Sequence, residues 1–339
     1  SIEHTKPDVT ANKAFLATFG NELFALAKKN NVTLAFEASV AGGIPILKSI
    51  REGLAGNKIE WVAGIINGTT NFILTEMQEK GVTFAKALSE AQSLGYAEAD
   101  PTFDIEGIDA AHKLTILAGL SFGIPMNFKD VYVEGIKALE QKDIQYAEEL
   151  GYRIKLLGIA KSRDKGIELR VHPTLIPEKR LIANVNGVMN AIVVKGNMVG
   201  PTLYYGAGAG ALPTASAVVA DLIDISRSSY VPSHGFEDNQ INLIPIYKIE
   251  DVISGYFLRI RVSDKPGVLA EITKLFGDKK ISIDAMLQKE SKEHESEADI
   301  VILSHLAVEK DINTVILAIE SLSATIGKVI KIRLEELSK

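Results

Sequence analysis

The chain has 339 residues, of which 46% are hydrophobic, and its formal net charge is −6 at pH 7. This length allows two or three domains with sizeable cores, and the dispersed basic residues argue against nucleic-acid binding. The absence of cysteine excludes disulfides, thiolate metal sites and thiol nucleophiles; with neither an apolar run of ~18 residues nor a signal-peptide pattern, we expect a cytoplasmic protein without membrane segments.

Helical and extended patterns alternate through the first hundred residues. The spacing of apolar residues predicts a helix over 11–29 that Thr10 caps, followed by a strand over 32–40. Pro45 stands in the first turn of a helix that we expect to end at Leu54. A strand at 59–66, a helix that follows residues 67–71 and runs through Glu79, and an amphipathic helix at 84–94 come next.

An acidic loop containing Glu98 and Asp100 leads into a strongly apolar helix. We expect this helix to begin near Asp104, which is a good N-cap residue, and to end at Phe122. Because the helix is apolar nearly all round, most of it must be buried.

The charged residues of this helix share one face. On a helical wheel of about 100° per residue, Glu106, Asp109 and Lys113 form a stripe that apolar positions flank on both sides. A charged stripe inside a buried helix indicates the wall of a cleft that faces a polar small molecule. The alternative is a structural Asp109–Lys113 pair on a solvated edge, which contributes a few tenths of a kcal/mol.

After residue 125 the pattern changes to strands. Those predicted at 131–136, 152–161, 166–175 and 191–195 suggest an α+β arrangement, an open sheet that helices cover on one face. Glycines 206, 208 and 210 then precede a helix over 215–226. Their N–H groups can cradle a phosphate or carboxylate, but the spacing differs from the dinucleotide fingerprint, so a flexible turn explains them equally well.

The last part of the chain has the pattern of a separate module behind a linker at 228–254. Strands are predicted at 256–262, 281–288, 298–304 and 328–334, with helices at 268–277 and 310–321. The order βαββαβ is that of the ferredoxin-like split arrangement.

Chemistry alone predicts a polar cleft but no reaction. The six histidines show neither an i, i+4 pair nor cysteine partners, which makes a zinc site improbable, and no Gly-x-Ser-x-Gly elbow occurs. The side chains expected to line the cleft are Glu98, Asp100, Asp104, Asp109 and Lys113.

Six segments closely resemble homoserine dehydrogenases and occur in that family's order. They are residues 10–14, 36–45, 67–71, 95–101, 107–114 and 208–214. The resemblance implies an oxidoreductase that interconverts L-aspartate 4-semialdehyde and L-homoserine with NAD or NADP, in threonine, methionine and isoleucine biosynthesis. Two alternatives remain: aspartate-semialdehyde dehydrogenase, against which the lack of cysteine argues, and a non-catalytic regulator that binds amino acids.

The resemblance also implies roles for individual residues. Lys113 matches the lysine that donates and accepts the proton at the substrate oxygen, and Lys13 matches a second lysine near the nicotinamide and the substrate. The residues implied at the substrate are Glu98, Asp104, Asp109 and Thr69, and those implied at the cofactor, besides Lys13, are Gly95, Gly208 and Gly210. A monovalent-cation site, usually occupied by sodium, is implied at Glu37, Val40, Gly42 and Ile44.

The Asp-Lys-Pro-Gly-Val-Leu-Ala segment at 264–270 resembles an ACT domain. This resemblance implies L-threonine as an effector and a homodimer or homotetramer; the alternative is a dimerisation module without an effector. Homoserine dehydrogenases begin with a Gly-x-Gly-x-x-Gly unit, which this sequence lacks, so we expect it to start near the end of that nucleotide-binding domain and to bind nicotinamide nucleotides poorly by itself.

The expected division of the chain combines α/β and α+β parts. Residues 1–35, to which 200–227 return, form the remnant of a Rossmann nucleotide-binding domain. The catalytic domain occupies 36–227, the linker 228–254 and the ACT regulatory domain 255–339.

Overall fold

The computed structural model describes residues 1–227, 236, 244–289 and 296–337. In these ranges no helix is long and apolar enough to cross a membrane. The N-terminal residues form a β–α–β unit whose two strands pair in parallel, the repeating unit of Rossmann domains. Its elements are β1 (Asp8–Val9), α1 (Lys13–Lys29) and β2 (Leu34–Ala35).

Two local predictions for this unit are wrong. The cap of α1 is Asn12, whose side chain accepts the N–H of Phe15 at 3.0 Å, whereas Thr10 accepts the N–H of Asn12 itself. The strand expected over 32–40 is extended only at Leu34–Ala35. A 3₁₀ turn, Glu37–Ser39, replaces the rest of that strand.

Helices dominate the next part of the chain. They are α2 (Ile46–Lys48, continued by a π-helical turn, Ser49–Gly53), α3 (Gly68–Lys80), α4 (Phe84–Ser93), α5 (Thr102–Ile105) and α6 (Ile108–Phe122), with strand β3 (Ile59–Ile65) between α2 and α3.

The single helix predicted from Asp104 to Phe122 is wrong, because α5 and α6 are separate. Gly107 between them has φ 82°, a left-handed conformation that interrupts the helix. Asp104 therefore lies inside α5 and is not an N-cap. A Cβ at Gly107 would come within 3.2 Å of Val133 and Val171, so the break lets the backbone approach the sheet closely.

The elements that follow α6 are β4 (Tyr132–Val133), α7 (Gln141–Glu149), β5 (Tyr152–Arg163), β6 (Gly166–Pro177), β7 (Met189–Gly196), β8 (Gly200–Ala207) and α8 (Ala211–Arg227). Strand β8 was not predicted. The strands of this middle part run in the order β6-β5-β3-β7-β8, with antiparallel neighbours. Helices α3, α6 and α7 cover one face of the sheet, and the segment that contains Ile182 packs on Trp61 and Ile159 of the other.

The C-terminal part has the predicted βαββαβ order. Its elements are β9 (Ile253–Ser263), α9 (Val268–Asp278), β10 (Ile283–Gln288), β11 (Glu297–Val308), α10 (Glu309–Glu320) and β12 (Ile330–Leu334). Residues 228–235 and 237–243 of the predicted linker lie outside the described residues. The two sheets are not separate as expected, because β12 pairs in parallel with β6 and joins them into one ten-stranded sheet.

Buried ion pairs accompany this junction. Glu335, just after β12, accepts hydrogen bonds from Lys161 of β5 and Arg170 of β6. Burial opposes ionisation of Glu335, but the two cations outweigh it and lower its pKa to about 2. Arg333 of β12 donates to Glu134 at 2.8 Å and to Glu309 of α10. Charged groups of the C-terminal part are thus paired with Lys161, Arg170 and Glu134 of the preceding part of the chain.

Candidate active site

A cleft of about 440 Å³ opens where the N-terminal ends of α1, α3 and α6 meet the glycine loop after β8. Residues of six separated chain segments line it, at 13, 67–69, 95–96, 104–113, 188–190 and 207–210. The residues predicted for the site that line this cleft are Lys13, Thr69, Gly95, Asp104, Asp109, Lys113, Gly208 and Gly210.

Asp109 is the centre of the polar network in the cleft. Its carboxylate accepts hydrogen bonds from Lys113 Nζ at 2.8 Å and from Asn67 Nδ2 at 2.8 Å. Lys13 Nζ lies 3.2 Å from the other carboxylate oxygen. The side chain of Asp109 is 6% exposed and that of Lys113 is 12% exposed, so the alternative of a solvated surface pair is wrong.

The neighbouring charges set the protonation of the acidic groups. Burial opposes ionisation of Asp109, but Lys113 and Lys13 outweigh it, and the pKa of Asp109 lies below its ordinary value. Burial raises the pKa of Asp104, and the hydrogen bond from Asn67 offsets only part of that effect. His112, beside this network, has a pKa that burial lowers, which favours the neutral imidazole. The cleft thus pairs one firmly ionised carboxylate with two ammonium groups.

Lys113 is held in a fixed orientation. Its ammonium group donates to the Ile66 carbonyl at 2.7 Å as well as to Asp109 one helical turn earlier. Two of its three protons are therefore engaged, and the third can reach a group in the cleft. A cation anchored in this way can stabilise and protonate an oxygen that becomes negatively charged.

The entrance to α3 supplies the opposite wall. Asn67 caps α3, accepting the Thr70 N–H at 2.8 Å, while its amide group donates to Asp104 at 2.7 Å and to Asp109. Thr69 Oγ donates to the Tyr96 carbonyl at 2.6 Å. This bond fixes the loop of Gly95, which has φ 75°, against the start of α3.

Glu98 and Asp100, predicted for the cleft, do not line it. Both are exposed on the loop that follows Gly95 and Tyr96. The Glu98 carbonyl accepts from Gln92 at 3.1 Å, and the Asp100 carboxylate accepts the Thr102 N–H at 3.1 Å, which starts the turn into α5. The role implied for Glu98 at the substrate stays a prediction.

The residues predicted to hold a cation form a buried turn beside the glycine loop. The carboxylate of Glu37 accepts the N–H groups of Leu47 and Lys48, both at 2.9 Å, and burial raises its pKa to about 7. Val40, Gly42 and Ile44 follow Glu37 in the chain. A Cβ at Gly42 would come within 2.8 Å of the Gly208 carbonyl, so this turn lies directly against the glycine loop. The described residues contain no cluster of three acidic or histidine side chains able to hold a metal ion, so a cation here would depend on backbone carbonyls.

Sequence analysis assigned no function to two asparagines that line the cleft. Asn67 belongs to a segment that resembles the family, but that segment did not indicate its hydrogen bonds to Asp104 and Asp109. Asn190 of β7 gave no signal, because a lone asparagine in a strand has no pattern. Only the β7–β8 pairing brings it beneath the glycine loop.

Comparison with known proteins gives two family matches. Residues 45–223 match the model described as homoserine dehydrogenase, and residues 256–324 match the ACT domain. The homoserine dehydrogenase of Neisseria gonorrhoeae is 57% identical over 99% of this chain and 79% of that relative.

Solved structures agree with these matches. A homoserine dehydrogenase from Thiobacillus denitrificans is 59% identical, with a TM-score of 0.94 over 99% of this chain and 78% of that one. A hyperthermophilic archaeal homoserine dehydrogenase in complex with NADPH is 34% identical, with a TM-score of 0.56 over 65% of this chain and 63% of that one.

Proposed function

Because this chain belongs to the homoserine dehydrogenase family, and is thus an oxidoreductase, we propose that L-homoserine and L-aspartate 4-semialdehyde react in the cleft around Asp109. The observation that carries this assignment is the buried carboxylate of Asp109 between Lys13 and Lys113. NAD(P) is the cofactor type of the family, and the complex of the archaeal relative with NADPH supports NADP as one candidate here.

Lys113 is the proposed proton donor and acceptor at the C4 oxygen. In the reductive direction the oxygen gains negative charge, and the free N–H of the Lys113 ammonium stabilises and then protonates it. The nicotinamide nucleotide supplies the hydride in this direction and accepts it in the reverse one. Asp109 and the Ile66 carbonyl hold Nζ in place, so the proton is delivered at a defined position.

The other cleft residues divide between substrate and cofactor. Asp104, half-buried beside Asn67, and Thr69 are proposed to hold the polar end of the amino acid, with Glu98 on the adjoining loop. Lys13 and Gly95, which line the same cleft, are proposed to contact the cofactor. A Cβ at Gly208 would overlap Asn190, so the loop faces the cleft with backbone groups, which suits close approach of a nucleotide at Gly208 and Gly210.

The assignment is tested by steady-state kinetics of the purified full-length protein with L-homoserine and each of NAD⁺ and NADP⁺. We expect turnover with at least one nucleotide and none when L-serine, one methylene shorter, replaces homoserine. Absence of homoserine oxidation with both nucleotides would refute the proposed function. The comparison also determines the preference between NAD and NADP.

We further propose a monovalent-cation site, with sodium as the first candidate, at Glu37 and the carbonyls of Val40, Gly42 and Ile44. The turn is buried, contains one carboxylate and lies against the glycine loop, so a bound cation would stabilise both. At constant ionic strength, sodium should raise the melting temperature above that in N-methylglucamine. The rise should vanish in Glu37→Gln; an equal rise in this variant would contradict the site.

The ACT domain binds a small-molecule effector, and we propose L-threonine. Gly267 precedes α9 with φ 94°, a conformation that orients the first N–H groups of the helix toward a ligand carboxylate. Millimolar threonine should lower activity several-fold in the wild type. Gly267→Val should lose this response, whereas Gly277→Ala, in open space on the same helix, should keep it. Retained inhibition in Gly267→Val would place the effector elsewhere.

The assembly and compartment are also proposals. The ACT type of module pairs edge to edge in related proteins, which supports a homodimer or homotetramer, and sedimentation analysis would determine the state. A thiol-free biosynthetic enzyme suits the reducing cytoplasm, which we propose as its location.

A further inference from the structure

The side chain of Asn190 has an unpaired amide in the wall of the cleft. Asn190 is 1% exposed, and it lines the same space as Asp109 and Lys113. Its Nδ2 and Oδ1 atoms are both buried and have no hydrogen-bond partner within the described residues. The other carboxamide of the cleft, Asn67, has partners for its oxygen and its nitrogen.

The fold holds Asn190 rigidly in this position. Its backbone pairs with Gly206 across β7 and β8, and the carbonyl of the preceding Met189 accepts a hydrogen bond from Asn71 at 3.1 Å. A Cβ at Gly208 would lie 2.1 Å from Asn190 Cγ, so the amide fits beneath the loop only because that residue is glycine. A buried amide without partners is costly, which indicates that a ligand completes its hydrogen bonds.

The ligand group must be neutral and must offer a donor and an acceptor together. The charged groups of the amino acid have proposed counterparts in Asp104 and Lys13, and Lys113 is proposed to meet its C4 oxygen. A carboxylate would bond Nδ2 but leave Oδ1 unpaired, because it has no proton to donate. A planar carboxamide satisfies both atoms, and the nicotinamide ring of NAD(P) carries one.

We propose that Asn190 binds the carboxamide of the nicotinamide ring through two reciprocal hydrogen bonds. Nδ2–H donates to the carboxamide oxygen, and Oδ1 accepts from the carboxamide N–H. This inference rests on the proposed function, since it assumes that the cleft receives a nicotinamide nucleotide. The pairing fixes the rotation of the ring and therefore which part of it faces Lys113 and the substrate.

The test compares the oxidised nucleotide that supports turnover with its 3-acetylpyridine analogue, which keeps the carbonyl and lacks the N–H. Dissociation constants are measured by calorimetry on the full-length protein without substrate. A hydrogen bond of this type contributes about 2- to 10-fold in affinity, so the wild type should prefer the native nucleotide by that factor. In Asn190→Leu the native nucleotide should lose roughly 10- to 100-fold and the preference should disappear.

Asn190→Asp should change the preference in the opposite direction. Its carboxylate still accepts the N–H of the native carboxamide but repels the carbonyl, which is all that the analogue offers. The preference for the native nucleotide should therefore rise above that of the wild type. A purely structural role beneath Gly208 cannot produce opposite changes in the two variants, and Asn190→Asp keeps the shape if Asn190→Leu does not fold.

If both nucleotides lose affinity by the same factor in both variants, the inference is wrong and the Asn190 amide has only a packing role. Unchanged nucleotide affinity with a raised KM for homoserine would overturn it in favour of a substrate contact. Failure of the proposed function is distinguishable, because the wild type would then oxidise homoserine with neither nucleotide, whatever the variants do.

Discussion

Replacing Asp109 by asparagine tests the charge network that organises the cleft. The substitution keeps the shape but removes the charge, and an amide nitrogen must then face one of three donors, Lys113, Asn67 or Lys13. Losing one partner of a buried ion pair costs roughly 3–5 kcal/mol. The Lys13 side chain is 34% exposed and can turn to solvent, so we expect the lower end, about 3 kcal/mol.

This cost can be measured by urea unfolding and by the melting temperature. At about 2–4 °C per kcal/mol, Asp109→Asn should melt roughly 6–12 °C below the wild type, and kcat/KM should fall roughly 10²- to 10⁴-fold as Lys113 loses its anchor. Asp104→Asn is the matched stability control, because burial already raises the pKa of Asp104 and its neutralisation should cost under about 1 kcal/mol. Equal stability of the two variants together with near-normal turnover in Asp109→Asn would refute the reasoning.

Lys113→Ala should lower kcat by roughly 10²- to 10⁴-fold and should also lower the melting temperature, because the buried Asp109 carboxylate loses one of its two cations; near-normal turnover would contradict its role. In the folded protein the pKa of Asp109 lies below its ordinary value of 3.8, so ionised Asp109 stabilises the fold above that pH. This stabilisation is lost as the pH falls through the folded-state pKa. Urea titrations should therefore show that the difference in free energy of unfolding between the wild type and Asp109→Asn decreases in that pH range. Glu335→Gln should destabilise by roughly 3–5 kcal/mol, unlike exposed Glu336→Gln; similar unfolding midpoints would contradict this. Gly107→Ala should cost about 1–3 kcal/mol in the same assay.

Local patterns predicted much of the catalytic helix. The stripe of Asp109 and Lys113 follows from helical periodicity, and its apolar surroundings predicted burial, since a helix without a polar face must pack on all sides. The break at Gly107 was missed because glycine within a helical pattern is compatible with both a continuous helix and an interruption. The close approach to Val133 and Val171 decides between them, and it comes from strands β4 and β6.

The resemblance to a family brought Lys13 and the glycine loop into the site prediction, but the positions of these residues depend on tertiary contacts. Lys13 reaches Asp109 because α1 packs beside α6. Glu98 was predicted alongside Asp104, yet it is exposed on the loop before α5 and lies outside the cleft wall, whereas Asp104 lies within α5 and lines the cleft.

By itself the sequence determined the identity of most elements, the βαββαβ order and the Asp109–Lys113 part of the charged stripe, because these depend on the periodicity of neighbouring residues; Glu106, also predicted for the stripe, lies before the break at Gly107. Tertiary structure alone decided that β12 joins β6, that Glu335 lies between Lys161 and Arg170, and that Asn190 lies beneath Gly208. Strand pairing and the packing of one segment on another bring these residues together, although β12 and Glu335 are more than 150 positions from their partners and Asn190 is 18 positions from Gly208. A local sequence pattern cannot predict such contacts, because each contact depends on where the rest of the fold places the partner residue.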